Sequence, residues 1–123
     1  MPRRGGIGKA TARLLAARGV HLALHYFTEH DVAKALVEEL RVFGVRVVAF
    51  SADFTDFDAV RAMHERIVEE LGHPDILYSN AAMAGTMLGI TGRVQDASLD
   101  EFERCWRVNA GSAFLVSNTI ISK

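Results

Sequence analysis

The chain has 123 residues, of which 50% are hydrophobic and 24% charged, so it can fill the core of one folded domain. Its formal net charge of −1 gives no electrostatic support for binding nucleic acid or an anionic membrane. A single cysteine, Cys105, excludes an internal disulfide and fits a reducing compartment, and no apolar run is long enough to span a membrane. These properties predict a soluble cytoplasmic protein.

Helical and strand patterns alternate along the chain. The predicted elements are a helix over 7–18, a strand over 20–26, a helix ended by Gly44, a strand over 45–50, a helix ended by Gly72, a short strand over 75–79 and a helix from Leu99 onwards. Strands that alternate with helices of this length indicate βαβ crossovers. The predicted fold class is α/β with a doubly wound parallel sheet, and residues 1–123 are expected to form one domain.

The spacing of apolar and capping residues predicts how the helices are placed. The buried stripe of the second helix is predicted to be Val32, Leu36, Leu40 and Phe43, and that of the third helix Val60, Met63, His64, Ile67 and Leu71. Capping boxes are predicted for Thr55 with Asp58 and for Ser98 with Glu101. The aromatic side chains of the last helix are predicted to form its packing face, with a contact between copies as the second interpretation: Phe102, Trp106 and Phe114.

The glycine cluster near the start of the chain is typical of a phosphate-binding turn, because glycines at a helix N-terminus let backbone N–H groups approach an anion. A P-loop would need a glycine five residues before Gly8 and a Ser or Thr after Lys9, but Arg3 and Ala10 stand there. A dinucleotide turn fits, with Gly6 and Gly8 opening a helix of small residues. A flexible tail before an ordinary helix is the alternative, and these residues alone leave both open.

The five histidines do not predict a metal site. His21 and His25 share one face of a predicted strand, whereas the other three lie on separate elements. No carboxylate or cysteine stands at ligand spacing from them.

Four motifs, in order and in register, resemble the short-chain dehydrogenase/reductase family. They are Gly6-Ile7-Gly8-Lys9-Ala10 with the helix up to Gly19, Ala52-Asp53-Phe54-Thr55-Asp56, Asn80-Ala81-Ala82 and Arg107-Val108-Asn109. Within the family, the sequence looks most like the 3-oxoacyl-carrier-protein reductase type. The resemblance implies a partial Rossmann fold and an oxidoreductase that transfers hydride between nicotinamide and a carbonyl compound or secondary alcohol.

The resemblance also implies roles for particular residues. Asp53 would bond the adenine amino group, and Asn109 would be the helix-kinking member of the catalytic set, holding a proton-relay water. The full set implied to bind the cofactor is Arg4, Gly6, Ile7, Gly8, Tyr26, Asp53, Phe54, Asn80, Ala81 and Ala82. Without the family, Asp53 is a residue approaching a helix, Asn80 ends a strand and Asn109 faces solvent, and these alternatives stay open.

The sequence departs from the family pattern at the catalytic residues. Family members carry a catalytic Ser and a Tyr-x-x-x-Lys motif, but neither Tyr26 nor Tyr78 has a lysine four residues later. The first glycine of the family's turn aligns with Pro2, and no strand precedes it. The chain therefore looks like the N-terminal half of such an enzyme, lacking the first strand and the C-terminal half, and we expect it to be inactive alone. The alternative is a non-catalytic nucleotide-binding or α/β scaffold module.

Cofactor preference can be predicted from the end of the first predicted strand. An acidic residue there would bind the ribose 2′-OH of NAD, but the position eighteen residues after Gly8 is Tyr26. NADP is therefore favoured over NAD. The nearby carboxylate of Glu29 weakens this preference. The expected partners are a dinucleotide cofactor, a small carbonyl substrate in the full-length parent, and a second copy of the chain through the last helix.

Overall fold

The computed structural model describes residues 6–82 and 93–121. The elements are α1 Gly6–Ala17, β1 Leu22–Tyr26, α2 His30–Arg41, β2 Val47–Ser51, α3 Phe57–Leu71, α4 Leu99–Trp106 and α5 Ser112–Ile121. A short 3₁₀ turn, Val94–Asp96, precedes α4, and a π-helical turn, Arg107–Gly111, joins α4 to α5. The described residues fall into two units, one of 6–52 with 62–76 and one of 53–61 with 77–82 and 93–121.

The first unit is built on two parallel strands. β1 and β2 pair in a register that places Leu22 opposite Val47 and Tyr26 opposite Ser51. Because parallel neighbours need a crossover connection, α2 links the two strands as a βαβ unit. This arrangement confirms the predicted α/β class with a parallel sheet.

Helices cover both faces of this sheet. On one face, α1 and α2 enclose a buried cluster of Ala12, Ala16, Leu22, Val37, Leu40, Val45 and Val47. Side chains alternate along a strand, so Phe50 points to the opposite face from Val47. There the guanidinium of Arg66, from α3, lies 5.3 Å from the centre of the Phe50 ring. The sheet is therefore flanked on both sides, as the doubly wound class predicts.

The buried stripe of α2 differs from its prediction by one position. Its buried residues are Ala33, Val37 and Leu40, whereas Val32 and Phe43 are 42% and 50% exposed. The prediction was right for Leu40 and wrong for Val32 and Phe43. The helix turns Ala33 and Val37 towards the strands and packs Leu36, partly buried, against the same cluster, whereas Val32 and Phe43 lie outside the contact.

The N-terminus of α3 is capped by a different residue from the one predicted. Oδ1 of Asp56 accepts hydrogen bonds from the backbone N–H groups of Asp58 and Ala59, at 3.0 and 3.3 Å. Thr55 donates instead to Asp53. The predicted Thr55–Asp58 capping box is therefore wrong, although α3 buries Val60, Met63 and Ile67 as its spacing predicts.

The predicted strand over 75–79 is not formed. Residues 76–80 have no regular structure, and the sheet of the described residues contains β1 and β2 alone. Ile76, Leu77 and Tyr78 are 65%, 40% and 52% exposed. Within the described part of the chain this apolar segment has no neighbouring strand with which to exchange backbone hydrogen bonds, so its β pattern is not realised.

The capping box at the start of α4 is confirmed. The N–H of Glu101 donates to Ser98 Oγ at 3.2 Å, and the N–H of Ser98 donates to Glu101 Oε2 at 2.9 Å. These bonds lower the pKa of Glu101 below its ordinary value. The aromatic packing face predicted for this helical segment is wrong, since Phe102, Trp106 and Phe114 are all more than half exposed.

Residues 6–82 and 93–121 contain neither a membrane-spanning helix nor a cluster of metal ligands. No helix there has the length and apolar character needed to cross a membrane. In the same residues, no three His, Cys, Asp or Glu side chains are placed to hold a metal ion together.

Candidate functional site

The N-terminus of α1 is the first part of the candidate site. Gly6, Ile7 and Gly8 form its first turn, with Gly6 and Ile7 exposed and Gly8 half-buried. The first N–H groups of a helix have no acceptor within the helix, and two of these three residues have no side chain to shield them. Such a turn can bind an anion. Arg4, which the resemblance also places here, lies outside the described residues.

α1 is held in place by packing and by an ion pair. Ala12 and Ala16 are 5% and 1% exposed and allow close approach to the rest of the unit. Arg13 makes a bidentate contact with Glu39 of α2, with Nε–Oε1 at 2.6 Å and Nη2–Oε2 at 3.1 Å. The hydrogen bond from Arg13 lowers the pKa of Glu39, so this pair is charged at neutral pH.

The carboxyl end of β1 carries the second group of polar side chains. Nε2 of His25 donates to the Ala52 carbonyl oxygen at 2.7 Å, which ties the end of β1 to the residue after β2. Burial lowers the pKa of His25, so this imidazole is neutral at pH 7. Tyr26 ends β1, and its Oη lies 2.9 Å from Nδ1 of His30, the first residue of α2. Sequence reasoning assigned no role to His30, although its spacing of four from Tyr26 was the available signal.

The first unit brings its predicted residues to one end. A four-residue connection, 18–21, reverses the chain between α1 and β1, and Gly19 adopts a φ of 83° that favours glycine. The N-terminus of α1 therefore lies at the same end of the unit as the carboxyl ends of β1 and β2. Gly6, Gly8 and Tyr26 share that end.

Asp53 lies in the second unit, in the connection between β2 and α3. Its Oδ1 accepts from the Thr55 hydroxyl at 2.7 Å and from the Thr55 N–H at 2.9 Å, forming an Asx turn. These two bonds, with a smaller contribution from the charge of Arg104, lower the pKa of Asp53. Asp53 is therefore an ionised acceptor at neutral pH. Phe54, the next residue, is half-buried.

The segment Asn80-Ala81-Ala82 has no regular structure, with Asn80 exposed and Ala81 half-buried. It belongs to the second unit, as does Asp53. The other signature implied by the resemblance, around Asn109, is helical.

Asn109 lies at the centre of the π-helical turn Arg107–Gly111. Its Nδ2 donates to Sγ of Cys105 at 3.2 Å, and the buried Ser112 hydroxyl donates to the Val108 carbonyl oxygen. A Cβ added at Gly111 would lie 3.2 Å from the Trp106 ring, so the turn leaves little room there. The resemblance implies a kinked helix at this position, and single π turns within α-helices are frequent at functional sites. Cys105 looked isolated in the sequence, but its spacing of four from Asn109 brings the two side chains together.

Known proteins resemble this chain over most of its length. A family model described as Enoyl-(Acyl carrier protein) reductase matches residues 3–122. Versicolorin reductase stcU of Emericella nidulans is 35% identical over 112 residues, which are 91% of this chain and 40% of the relative. The 3-oxoacyl-[acyl-carrier-protein] reductase FabG of Staphylococcus aureus is 37% identical over 78 residues, which are 63% of this chain and 32% of that protein.

The fold has solved counterparts as well. The crystal structure of a short chain dehydrogenase from Burkholderia cenocepacia in complex with NADP superposes with a TM-score of 0.85 and 32% identity, covering 97% of this chain and 47% of that one. The chain thus spans less than half the length of the relatives described here. The family match over nearly every residue, together with the parallel α/β architecture, shows that this chain belongs to the short-chain dehydrogenase/reductase family.

Proposed function

We propose that this chain is the NADP(H)-binding part of a short-chain dehydrogenase/reductase that transfers hydride between nicotinamide and a carbonyl compound or secondary alcohol. The observation that carries this proposal is the glycine-opened N-terminus of α1, at the end of the unit where β1 and β2 also terminate. In open α/β sheets, ligands bind outside the carboxyl ends of the strands. We take the chain to act as one incomplete Rossmann domain.

The predicted cofactor residues of each unit have chemistry that a dinucleotide requires. The N–H groups of Gly6, Ile7 and Gly8 would donate to the pyrophosphate, aided by the positive end of the α1 dipole. Asp53, an ionised acceptor, would accept from the adenine amino group, with the Phe54 backbone beside it. The segment Asn80-Ala81-Ala82 would contact the nucleotide, and Arg4 would add positive charge near its phosphates. When bound, the nicotinamide supplies the hydride.

NADP is the proposed cofactor in preference to NAD. Tyr26 ends β1 where NAD-binding members of such folds place a carboxylate for the ribose 2′-OH. The related Burkholderia cenocepacia dehydrogenase was solved with NADP, which supports the same preference.

Catalysis is proposed for the longer parent enzyme and not for these 123 residues. Asn109, in its π-helical turn, would hold the water that relays protons to the active site. The chain contains no tyrosine followed four residues later by lysine, so it lacks the acid/base pair that the family uses. A cytoplasmic location stays a prediction from composition.

The parent is also proposed to self-associate through its last helical segment. Phe102, Trp106 and Phe114 are 60%, 57% and 68% exposed, and exposed aromatic side chains of this size are typical of protein contacts.

The proposal can be tested by saturation-transfer NMR on NADPH mixed with the purified chain and an acetoacetyl thioester. We expect magnetisation to reach the adenine protons more strongly than the nicotinamide protons, because the chain carries the residues proposed to hold the adenine half. We also expect the NADPH signals to persist, since no proton donor is present for hydride transfer. Affinity in the millimolar range suffices for this readout.

NADH serves as the comparison ligand and should receive less saturation than NADPH. A folded chain that transfers no magnetisation to either cofactor would refute the binding proposal. Consumption of NADPH above the rate without protein would refute the proposed inactivity.

A further inference from the structure

The π-helical turn between α4 and α5 changes the hydrogen bonding of one carbonyl group. The N–H of Ser112 donates to the carbonyl oxygen of Arg107, five residues earlier. In an α-helix the same N–H would donate to the residue four positions earlier, Val108. The π turn therefore directs away from the Val108 carbonyl the amide donor that an α-helix would give it.

The side chain of Ser112 takes the place of that donor. Its hydroxyl donates to the Val108 carbonyl oxygen while its N–H donates to Arg107, so one residue bonds two successive carbonyl groups. Ser112 is 1% exposed, so the protein and not water supplies the partner of this hydroxyl. In a continuous α-helix the Val108 carbonyl would already have an amide donor, and the hydroxyl bond would add less. The buried hydroxyl therefore stabilises the π turn relative to a continuous α-helix.

The residue before Ser112 fits the same turn. Gly111 has no Cβ, and a Cβ added there would lie 3.2 Å from the Trp106 ring. The indole ring therefore lies close to the Gly111 backbone, in space that a side chain would otherwise fill. Trp106 is the only tryptophan of the chain, so tryptophan fluorescence reports on this contact.

The π turn fixes the orientation of Asn109 relative to α5. A π turn adds one residue to a helical turn, which rotates the helix after it by about 100° relative to a continuous α-helix. Asn109 lies at the centre of the turn, and its Nδ2 donates to Sγ of Cys105 at 3.2 Å. Loss of the π turn would therefore reorient Asn109 with respect to α5.

We infer that Ser112 is a positioning residue: its buried hydroxyl holds the π turn and thereby the orientation of Asn109. This assignment rests on the proposed function, because Asn109 is the residue proposed to hold the proton-relay water. Ser112 acts through the backbone of the turn and is not proposed to touch cofactor or substrate.

NMR couplings across hydrogen bonds, measured on the ¹³C,¹⁵N-labelled chain, identify the carbonyl that accepts from each N–H group. In the unmodified chain we expect the N–H of Ser112 to couple to the carbonyl carbon of Arg107. In Ser112→Ala we expect this coupling to be replaced by one to Val108, with a change in Trp106 emission as Gly111 moves from the ring. Ser112→Thr should keep the Arg107 coupling, because a threonine hydroxyl in a helix can bond to the carbonyl four residues earlier.

The matched control is Thr119→Val. The hydroxyl of Thr119 donates to the Leu115 carbonyl oxygen at 2.8 Å, also four residues earlier but within α5. Its removal should leave the coupling between Ser112 and Arg107 unchanged.

A Ser112→Ala chain that keeps the Arg107 coupling, or an unmodified chain that shows none, would overturn the role of Ser112. The measurement is made without cofactor, so either result leaves the proposed dinucleotide binding standing. Conversely, a chain that shows the expected couplings but does not bind NADPH would overturn the proposed function alone.

Discussion

Replacing Phe50 with alanine is expected to lower the free energy of unfolding by about 3–5 kcal/mol. Phe50 is 1% exposed and is the largest of the fully buried side chains in the described residues. Its loss removes apolar area from the sheet face that α3 covers and leaves a cavity beneath the Arg66 guanidinium. Urea unfolding followed by circular dichroism measures the change.

Phe43→Ala is the matched control, because it deletes the same atoms from a side chain that is 50% exposed. We expect it to cost less than about 1 kcal/mol. The comparison also tests whether Phe43 is buried, as helical periodicity alone predicted, or half exposed, as the structure has it. Equal losses in the free energy of unfolding for Phe50→Ala and Phe43→Ala would show that Phe50 is not buried under α3 as described.

Gly8→Ala is expected to change stability and cofactor binding in opposite directions. Gly8 lies within α1, where alanine is favoured over glycine by about 0.5–1 kcal/mol, so the variant should be slightly more stable. Its new methyl group would stand where the pyrophosphate is proposed to approach the backbone. We expect binding of NADPH to weaken by about tenfold or more, the scale of losing charge-assisted hydrogen bonds. Urea unfolding and saturation-transfer NMR measure the two effects.

The control for this variant is Ala17→Gly, at the other end of α1. It should lower stability by up to about 1 kcal/mol and leave NADPH binding unchanged. If Gly8→Ala leaves NADPH binding unchanged as well, the first turn of α1 is not the site of the pyrophosphate.

Local signals in the sequence predicted most of the first unit. Glycines that end helices, such as Gly44 and Gly72, mark left-handed turns with φ of 79° and 91°. Alternation in β1 and the β-rich run of β2 located the two strands to within two residues at either end. The Ser98–Glu101 capping box depends on neighbours three residues apart, so it too could be predicted locally.

The sequence patterns failed to predict features that depend on which other residues lie nearby in the fold. The segment 75–79 has a strand pattern, but a strand exists only when another strand pairs with it. The choice of Asp56 over Thr55 as the cap of α3 depends on Thr55 being held by Asp53. Likewise, apolar periodicity could not tell whether Trp106 is buried by a neighbour or left exposed.

The sequence motifs indicated which residues belong to the candidate site. They did not indicate which side chains contact one another there. Gly6, Gly8, Asp53 and Asn109 were named from family spacing. The side-chain contacts near these residues join close neighbours along the chain, as for Asp53 with Thr55, Cys105 with Asn109 and His30 with Tyr26. Such pairs become informative once the helix or strand that carries them is known.

Whether this chain binds a dinucleotide can be measured with an amide chemical-shift map of the ¹⁵N-labelled chain titrated with NADPH. We expect the largest shifts at Gly6, Ile7 and Gly8 and at Asp53 and Phe54, with little change at Gly72, beyond the opposite end of the strands. Shifts confined to α4 and α5, or no shifts with millimolar NADPH, would contradict this expectation.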